Sequence, residues 1–145
     1  MWQRIQTLFL ALALGLVAAL FFCVKAFSIG QGGVHAQEAT YVQSFPYLVL
    51  LVVASILQLI SLAAYRVRVF QMRTALLAGI ILLALQCWLA YDYFTAPSGV
   101  VFSFTAIFPL LAAICDFLAA RFILRDQLLV ESATRLRSRK KNRKF

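Results

Sequence analysis

A short basic segment between two apolar runs is the feature that most constrains this chain. Residues 65–73, YRVRVFQMR, carry three arginines, and apolar runs flank them at 47–65 and 74–93. Each run is long enough to cross the roughly 30 Å of hydrocarbon in a bilayer as a helix. Basic connections between membrane spans stay in the cytoplasm. The segment therefore predicts a helical hairpin whose cytoplasmic turn contains Arg66, Arg68 and Arg73.

Two further apolar runs, 7–27 and 100–122, bring the expected number of spans to four. The chain is 63% hydrophobic, whereas soluble domains are about 45–50% apolar. The first run also exceeds the roughly 7–15 apolar residues of a signal peptide. These patterns predict an all-α membrane protein, with an up-down four-helix transmembrane bundle over residues 1–123. A cytoplasmic amphipathic helix and a basic tail are expected over residues 124–145.

The distribution of charge predicts the orientation of the bundle. The chain has 14 Lys and Arg residues and only 5 Asp and Glu residues. In the four-span arrangement every basic residue except Lys25 lies on one side, which the positive-inside rule assigns to the cytoplasm. Both termini are then cytoplasmic. Lys25, near the outer end of the first run, is expected to extend its long side chain to the interface.

Two end segments resemble a known family. The first contains Gln3, Arg4, Ile5, Gln6 and Thr7, and the second contains Asp126, Leu129, Val130, Ser132, Arg135, Leu136 and Arg137. They are similar to a family of small bacterial proteins with four transmembrane helices, catalogued as a domain of unknown function. The resemblance implies the four-helix fold and the inner membrane of a bacterium. It implies no catalytic residues, because the family has no assigned activity.

Four polar residues lie within the predicted spans: Asp116, Gln58, Ser61 and Gln86. A charged carboxylate at the centre of a bilayer costs roughly 2.5–3.5 kcal/mol on insertion scales. Ser61 is expected at a depth similar to that of Asp116, and Gln58 about one helical turn further out. Two interpretations follow. Asp116 is either an interhelical polar clamp that sets the packing of the helices or a site for a proton or cation.

Small residues at helical spacing predict where the helices approach one another closely. The candidate packing positions are Ala11, Gly15, Ala19, Gly79, Ala112 and Ala120.

No catalytic or metal-binding pattern stands out in the sequence. The three cysteines, Cys23, Cys87 and Cys115, are isolated, and the chain has a single histidine, His35. No spacing suits a zinc site. We therefore expect no cofactor, no metal and no enzymatic activity. The polar segment 30–45, which contains His35, is expected to be an outer loop.

The end of the chain is strongly basic. A helix is expected from Leu124 to Leu136, and basic residues follow on it and beyond it: Arg135, Arg137, Arg139, Lys140, Lys141, Arg143 and Lys144. Such a segment binds anionic lipid headgroups, RNA or an acidic protein partner.

The sequence favours a small membrane subunit or scaffold that presents this basic segment to lipid or to a partner. A homo-oligomer could form through its helix faces. A small oligomeric transporter or channel that uses Asp116 is the first alternative. Contact of the tail with ribosomal or other RNA is the second, and a membrane enzyme is the third.

Overall fold

Four α-helices make up most of the protein. The computed structural model describes residues 2–29 and 36–142. The helices are α1 (Trp2–Leu20), α2 (Phe45–Ala63), α3 (Arg68–Thr95) and α4 (Phe108–Asn142). By length and composition, three helical segments can cross a membrane, namely Phe45–Ala63, Arg68–Thr95 and Phe104–Arg135. The apolar part of α1, Ile5–Leu20, is shorter.

The four helices pack in a ring. The helix α4 contacts α1 and α3, and α2 also contacts α1 and α3. The main core contains side chains from all four helices, including Val17, Leu51, Leu85 and Ala112. Consecutive helices run in opposite directions, so one end of the ring carries the α2–α3 connection and is called the hairpin end below. The predominantly helical fold class is confirmed.

A three-stranded antiparallel sheet covers the other end, which is called the sheet end below. Its strands are β1 (Val24–Ile29), β2 (Ala36–Thr40) and β3 (Val100–Phe102), in the order β2-β1-β3. Phe27 is paired with Glu38 on one side and with Val101 on the other. No strand was expected at this end, and part of the predicted outer loop 30–45 is strand β2. His35 lies outside the described residues.

The sheet also corrects two predicted spans. The first helix ends at Leu20 rather than at Phe27, and the fourth begins at Phe108 rather than at Val100. Both errors fall on short apolar stretches, where helix and strand cannot be distinguished by periodicity. Val24–Ile29 and Val100–Phe102 become strands because each supplies the hydrogen-bonding partner of the other. A 3-10 turn at 104–107 then leads into α4.

The basic turn is shorter than predicted. Only residues 64–67 connect α2 to α3, and the Val67 N–H donates to the Ala64 carbonyl at 3.0 Å. Arg68 and Arg73 therefore lie in the first turns of α3, not in the connection. At the other end of the chain, α4 continues to Asn142, beyond the expected boundary at Leu136.

Small residues let α3 and α4 approach closely. A Cβ atom on Gly79 would lie 3.2 Å from the ring of Phe117, so a larger side chain would require the ring to shift. Ala112 and Ala120 are buried at 0% and 3% exposure. In contrast, Ala11 and Gly15 are exposed, and Ala19 is half-buried. The helix α1 packs instead through the neighbouring face that contains Leu10, Ala13 and Val17.

Large apolar side chains also cover the outside of the ring. Leu59 on α2, Ile80 on α3 and Ile114 on α4 are exposed by 52%, 56% and 47%. Helices that are apolar on all sides are typical of protein cores and of membrane spans.

Candidate functional site

Asp116 and Gln58 form a polar contact inside the ring of helices. Their exposures are 0% and 1%, and Gln58 Nε2 donates to Asp116 Oδ2 at 2.9 Å. The helices α2 and α4 lie opposite each other, so this hydrogen bond crosses the core. The structure thus pairs Asp116 with Gln58, which was expected about one turn further out, and not with Ser61, which was expected at a similar depth.

This pair retains unused hydrogen-bonding capacity. Among the described residues, Asp116 Oδ1 and Gln58 Oε1 have no partner. A buried polar atom left unpaired costs about 1–3 kcal/mol. Both atoms are acceptors when the carboxyl is ionised, so the pair could accept a further donor or hold a proton or a cation.

Ser61 and Gln86 do not join this pair. The Ser61 hydroxyl donates to the backbone carbonyl of Gln71 at 3.2 Å, which ties the end of α2 to the start of α3. Gln86 is half-buried on α3, and its Oε1 atom has no partner in the described part of the chain. The four predicted polar residues therefore do not form one continuous site.

A second polar cluster lies at the sheet end. Lys25 Nζ on β1 forms an ion pair with Asp92 Oδ2 on α3, and the Tyr47 hydroxyl donates to the same oxygen at 2.6 Å. Lys25 Nζ also lies 4.0 Å from the centre of the Tyr47 ring, within cation–π distance. The Lys25 side chain is only 10% exposed. Its expected extension to the interface was wrong, because a carboxylate neutralises it within the protein.

Tyr41 extends this cluster toward α4. Its ring meets that of Tyr47 edge-on at 6.1 Å, and its hydroxyl lies 3.4 Å from Thr105 Oγ1. Thr105 donates its own proton to the Val24 carbonyl at 2.9 Å, so the Tyr41 hydroxyl is the donor to Thr105. Burial raises the pKa of the Tyr41 hydroxyl further above neutral pH, so the hydroxyl keeps the proton that it donates to Thr105. The contacts fasten the sheet to the helices.

An ion pair at the hairpin end joins α3 to α4. Arg68 Nη1 lies 3.0 Å from Asp126 Oδ2. A positive charge in the first turn of a helix is unfavourable by about 0.3–1 kcal/mol, because the helix dipole is positive there. Asp126 offsets this cost for Arg68, the first residue of α3. Asp126 belongs to the second of the two end segments that resemble a known family.

The other predicted basic residues lie on exposed surface where their side chains are described. Arg66 and Arg73 are exposed beside Arg68, and Arg135 is bonded to Glu131 Oε1 at 2.7 Å. The helical backbone includes Arg137, Arg139, Lys140 and Lys141. Arg143 and Lys144 lie outside the described residues.

The described residues contain no group of three or more His, Cys, Asp or Glu side chains that could hold a metal ion. Cys23, Cys87 and Cys115 are free thiols.

The cluster formed by Lys25, Asp92 and Tyr47 was not predicted from the sequence. One signal was available, because Lys25 and Asp92 are opposite charges predicted at the same outer end of the bundle. Their contact across 67 positions depends on the sheet, which local patterns did not predict.

No curated protein matches the chain. A family model does match it, over residues 2–136, and its description is "Domain of unknown function (DUF4293)". This range includes the first end segment, the second end segment up to Leu136, and nearly all of the described residues. The resemblance to an uncharacterised family is therefore confirmed, and the chain belongs to the DUF4293 family.

Proposed function

We propose that the protein is a non-enzymatic subunit or scaffold of a bacterial inner membrane. It crosses the membrane four times, with the sheet end outside and both termini in the cytoplasm. It holds a basic C-terminal arm, defined here as residues 124–145, against the anionic surface of the inner leaflet.

The surface of the helices supports a position within a bilayer. Apolar side chains are exposed on all four helices, including Leu12, Leu59, Ile80 and Ile114. In water such a surface would drive aggregation, whereas in lipid it needs no covering. The orientation rests on charge, because every Lys and Arg except Lys25 belongs to the hairpin end or to the arm.

The arm carries the proposal for function. Within residues 108–135 of α4, Ile123 is the last buried residue, and the leucines that follow it there are exposed: Leu124 by 43%, Leu128 by 57% and Leu129 by 60%. Thirty-five residues of helix span about 52 Å, well beyond the roughly 30 Å of hydrocarbon. A helix with exposed apolar residues and many basic ones binds anionic membrane surfaces.

An environment-sensitive fluorophore on the arm tests this proposal. The probe is attached to Ser132→Cys in the full chain, in a background without the three native cysteines, and the protein is placed in lipid nanodiscs. We expect a blue shift of emission with phosphatidylglycerol but not with phosphatidylcholine. Salt should reverse the shift, because the Debye length falls from about 30 Å at 0.01 M to about 8 Å at 0.15 M.

Two variants control this measurement. Removal of residues 139–145 should weaken the shift, because it takes away five basic residues: Arg139, Lys140, Lys141, Arg143 and Lys144. The same fluorophore on Ser98→Cys, at the sheet end, should not respond to salt. Equal emission in both lipids would contradict binding to the membrane surface and would favour an acidic protein partner for the arm.

A small transporter or channel is a second candidate function. The observation that favours it is the buried pair of unpartnered acceptors, Asp116 Oδ1 and Gln58 Oε1. Coupled transporters use such intramembrane groups to carry a proton or a cation. Substitution of Asp116, considered in the Discussion, separates this function from a structural role.

A further inference from the structure

A cavity of about 370 Å³ lies at the hairpin end. It is lined by the beginning of α1, the end of α2, the α2–α3 connection and the beginning of α3. The lining residues are Gln6, Thr7, Leu62, Tyr65, Arg68 and Gln71. Its volume is in the range of known small-molecule sites, roughly 300–1,000 Å³. Neither the arm nor the Asp116 pair lines this cavity, so nothing proposed above accounts for it.

The described lining is rich in hydrogen-bond donors, and its six residues include no acid. Five of these six side chains are polar, and each of the five can donate a hydrogen bond from an amide, a hydroxyl or a guanidinium. Arg68 is the charged residue among the six. One of its N–H groups is used by Asp126 Oδ2, and the side chain is 34% exposed. A guanidinium has five N–H donors, so Arg68 can be held by Asp126 and still bind an anion.

A buried amide supplies an independent observation. Gln6 is only 6% exposed, and its Nε2 atom has no partner among the described residues. Gln71, on the opposite wall, is 5% exposed. An unpaired buried donor is unfavourable. The cavity lining therefore contains an amide donor without an acceptor, Gln6 Nε2, together with the guanidinium of Arg68.

We propose that this cavity binds a phosphate group, held by the Arg68 guanidinium and by the surrounding amide and hydroxyl donors. Phosphate is rich in acceptors and anionic, and arginine binds it through two parallel hydrogen bonds. The exposed Arg66, in the connection that lines the cavity, makes the approach positive, and no acid occurs in residues 65–73. The source is either a phospholipid headgroup or a soluble phosphate.

This site also unites the two end segments of the sequence. Gln6 and Thr7 come from the first segment, and Asp126 of the second orients Arg68. The two segments are more than 100 residues apart in the sequence. The first lines the cavity, and the second contacts Arg68 in its wall.

Calorimetric titration of the full chain in a maltoside detergent, at constant ionic strength, tests the proposal. The three probes are dihexanoyl phosphatidylglycerol, inorganic phosphate and dihexanoylglycerol, which lacks phosphate. We expect saturable binding of at least one phosphate probe and none of dihexanoylglycerol. Binding of phosphatidylglycerol alone identifies a lipid headgroup. Binding of inorganic phosphate alone identifies a soluble source, and binding of both shows that the phosphate group itself is recognised.

Three variants localise the binding. Arg68→Gln should weaken the affinity at least tenfold, and Gln6→Leu at least threefold. Arg73→Gln is the matched control, because it removes a basic side chain of the same helix that does not line the cavity. It should change the affinity less than twofold. Gln6→Leu leaves the Arg68–Asp126 ion pair in place, so it decides the matter if Arg68→Gln fails to fold.

Three results would overturn the proposal: no binding of either phosphate probe, equal binding of dihexanoylglycerol, or an equal loss of affinity in Arg73→Gln. Removal of residues 139–145, the end of the arm, should leave this affinity intact. The proposal for the cavity and the proposal for the arm can therefore be contradicted independently of each other.

Discussion

At the scale of single residues, Asp116 is the most constrained group in the chain. It is fully buried, and its described hydrogen bond is to Gln58. A clamp needs hydrogen bonding but not charge, whereas a proton or cation site needs the carboxyl group itself. The two roles therefore respond differently to the same substitution.

We expect Asp116→Asn to fold with nearly unchanged stability, because an amide oxygen can still accept from Gln58. Asp116→Leu should lower the free energy of unfolding by about 1–3 kcal/mol, since Gln58 then loses its partner. A second change, Gln58→Leu, should recover part of that loss, because replacement of both partners removes the unpaired group. Denaturant unfolding in detergent micelles measures each variant. If Asp116→Asn folds normally but abolishes a proton or cation flux in proteoliposomes, the clamp interpretation is wrong.

At the scale of elements, the sheet is the feature that connects distant parts of the chain. The strand β1 lies between β2 and β3, and its Lys25 contacts Asp92 at the end of α3. The ion pair thus fastens the sheet to the bundle. A buried charge that loses its partner is strongly destabilising, by about 3–5 kcal/mol.

We expect Lys25→Met to lower the free energy of unfolding by about 3 kcal/mol, at the lower end of that range because Asp92 is 30% exposed. The double variant Lys25→Met with Asp92→Asn should be more stable than Lys25→Met alone, because no unpaired charge remains. The control is the exposed Glu131–Arg135 pair, for which Arg135→Met should cost under about 1 kcal/mol. Strictly additive effects in the Lys25 and Asp92 cycle would show that the two residues are not coupled.

At the scale of the whole molecule, most of the basic residues and the sheet lie at opposite ends. Arg66 in the α2–α3 connection and Arg68 at the start of α3 lie at the hairpin end, where α4 continues into the arm, and the ring of helices between the ends is apolar outside as well as inside. This unequal distribution of basic residues between the two ends is the basis for the proposed topology.

Labelling of single cysteines tests the topology. Ser98→Cys lies at the sheet end, and Val67→Cys and Ser132→Cys lie at the hairpin end and on the arm, all at exposed positions. In intact cells, an impermeant maleimide should label only position 98, and permeabilisation should expose the other two. Labelling of position 67 or 132 from outside would contradict cytoplasmic termini. A Cys-free chain controls for background.

The sequence by itself determined the helical character of the chain and its family. Helical periodicity placed Ala54, Gln58, Ser61 and Tyr65 on one face, and the first three are buried whereas Tyr65 is 64% exposed. Depth along the spans placed Ser61 level with Asp116 and Gln58 about one turn further out, but Gln58 is the residue that bonds to Asp116. Helical character and the burial of one helix face depend on the local repeat of a helix and on its length, which can be read from neighbouring residues.

Only the tertiary structure decided the sheet, the Lys25–Asp92 pair and the cavity around Arg68. The apolar stretches Val24–Ile29 and Val100–Phe102 are ambiguous alone, and each becomes a strand because the other is present. Likewise, Gln6 and Arg68 line one cavity because the beginnings of α1 and α3 both lie at the hairpin end of the bundle. These features depend on contacts between distant residues, such as Lys25 with Asp92 and Val24 with Thr105, which are 67 and 81 positions apart. Such contacts leave no local periodicity in the sequence.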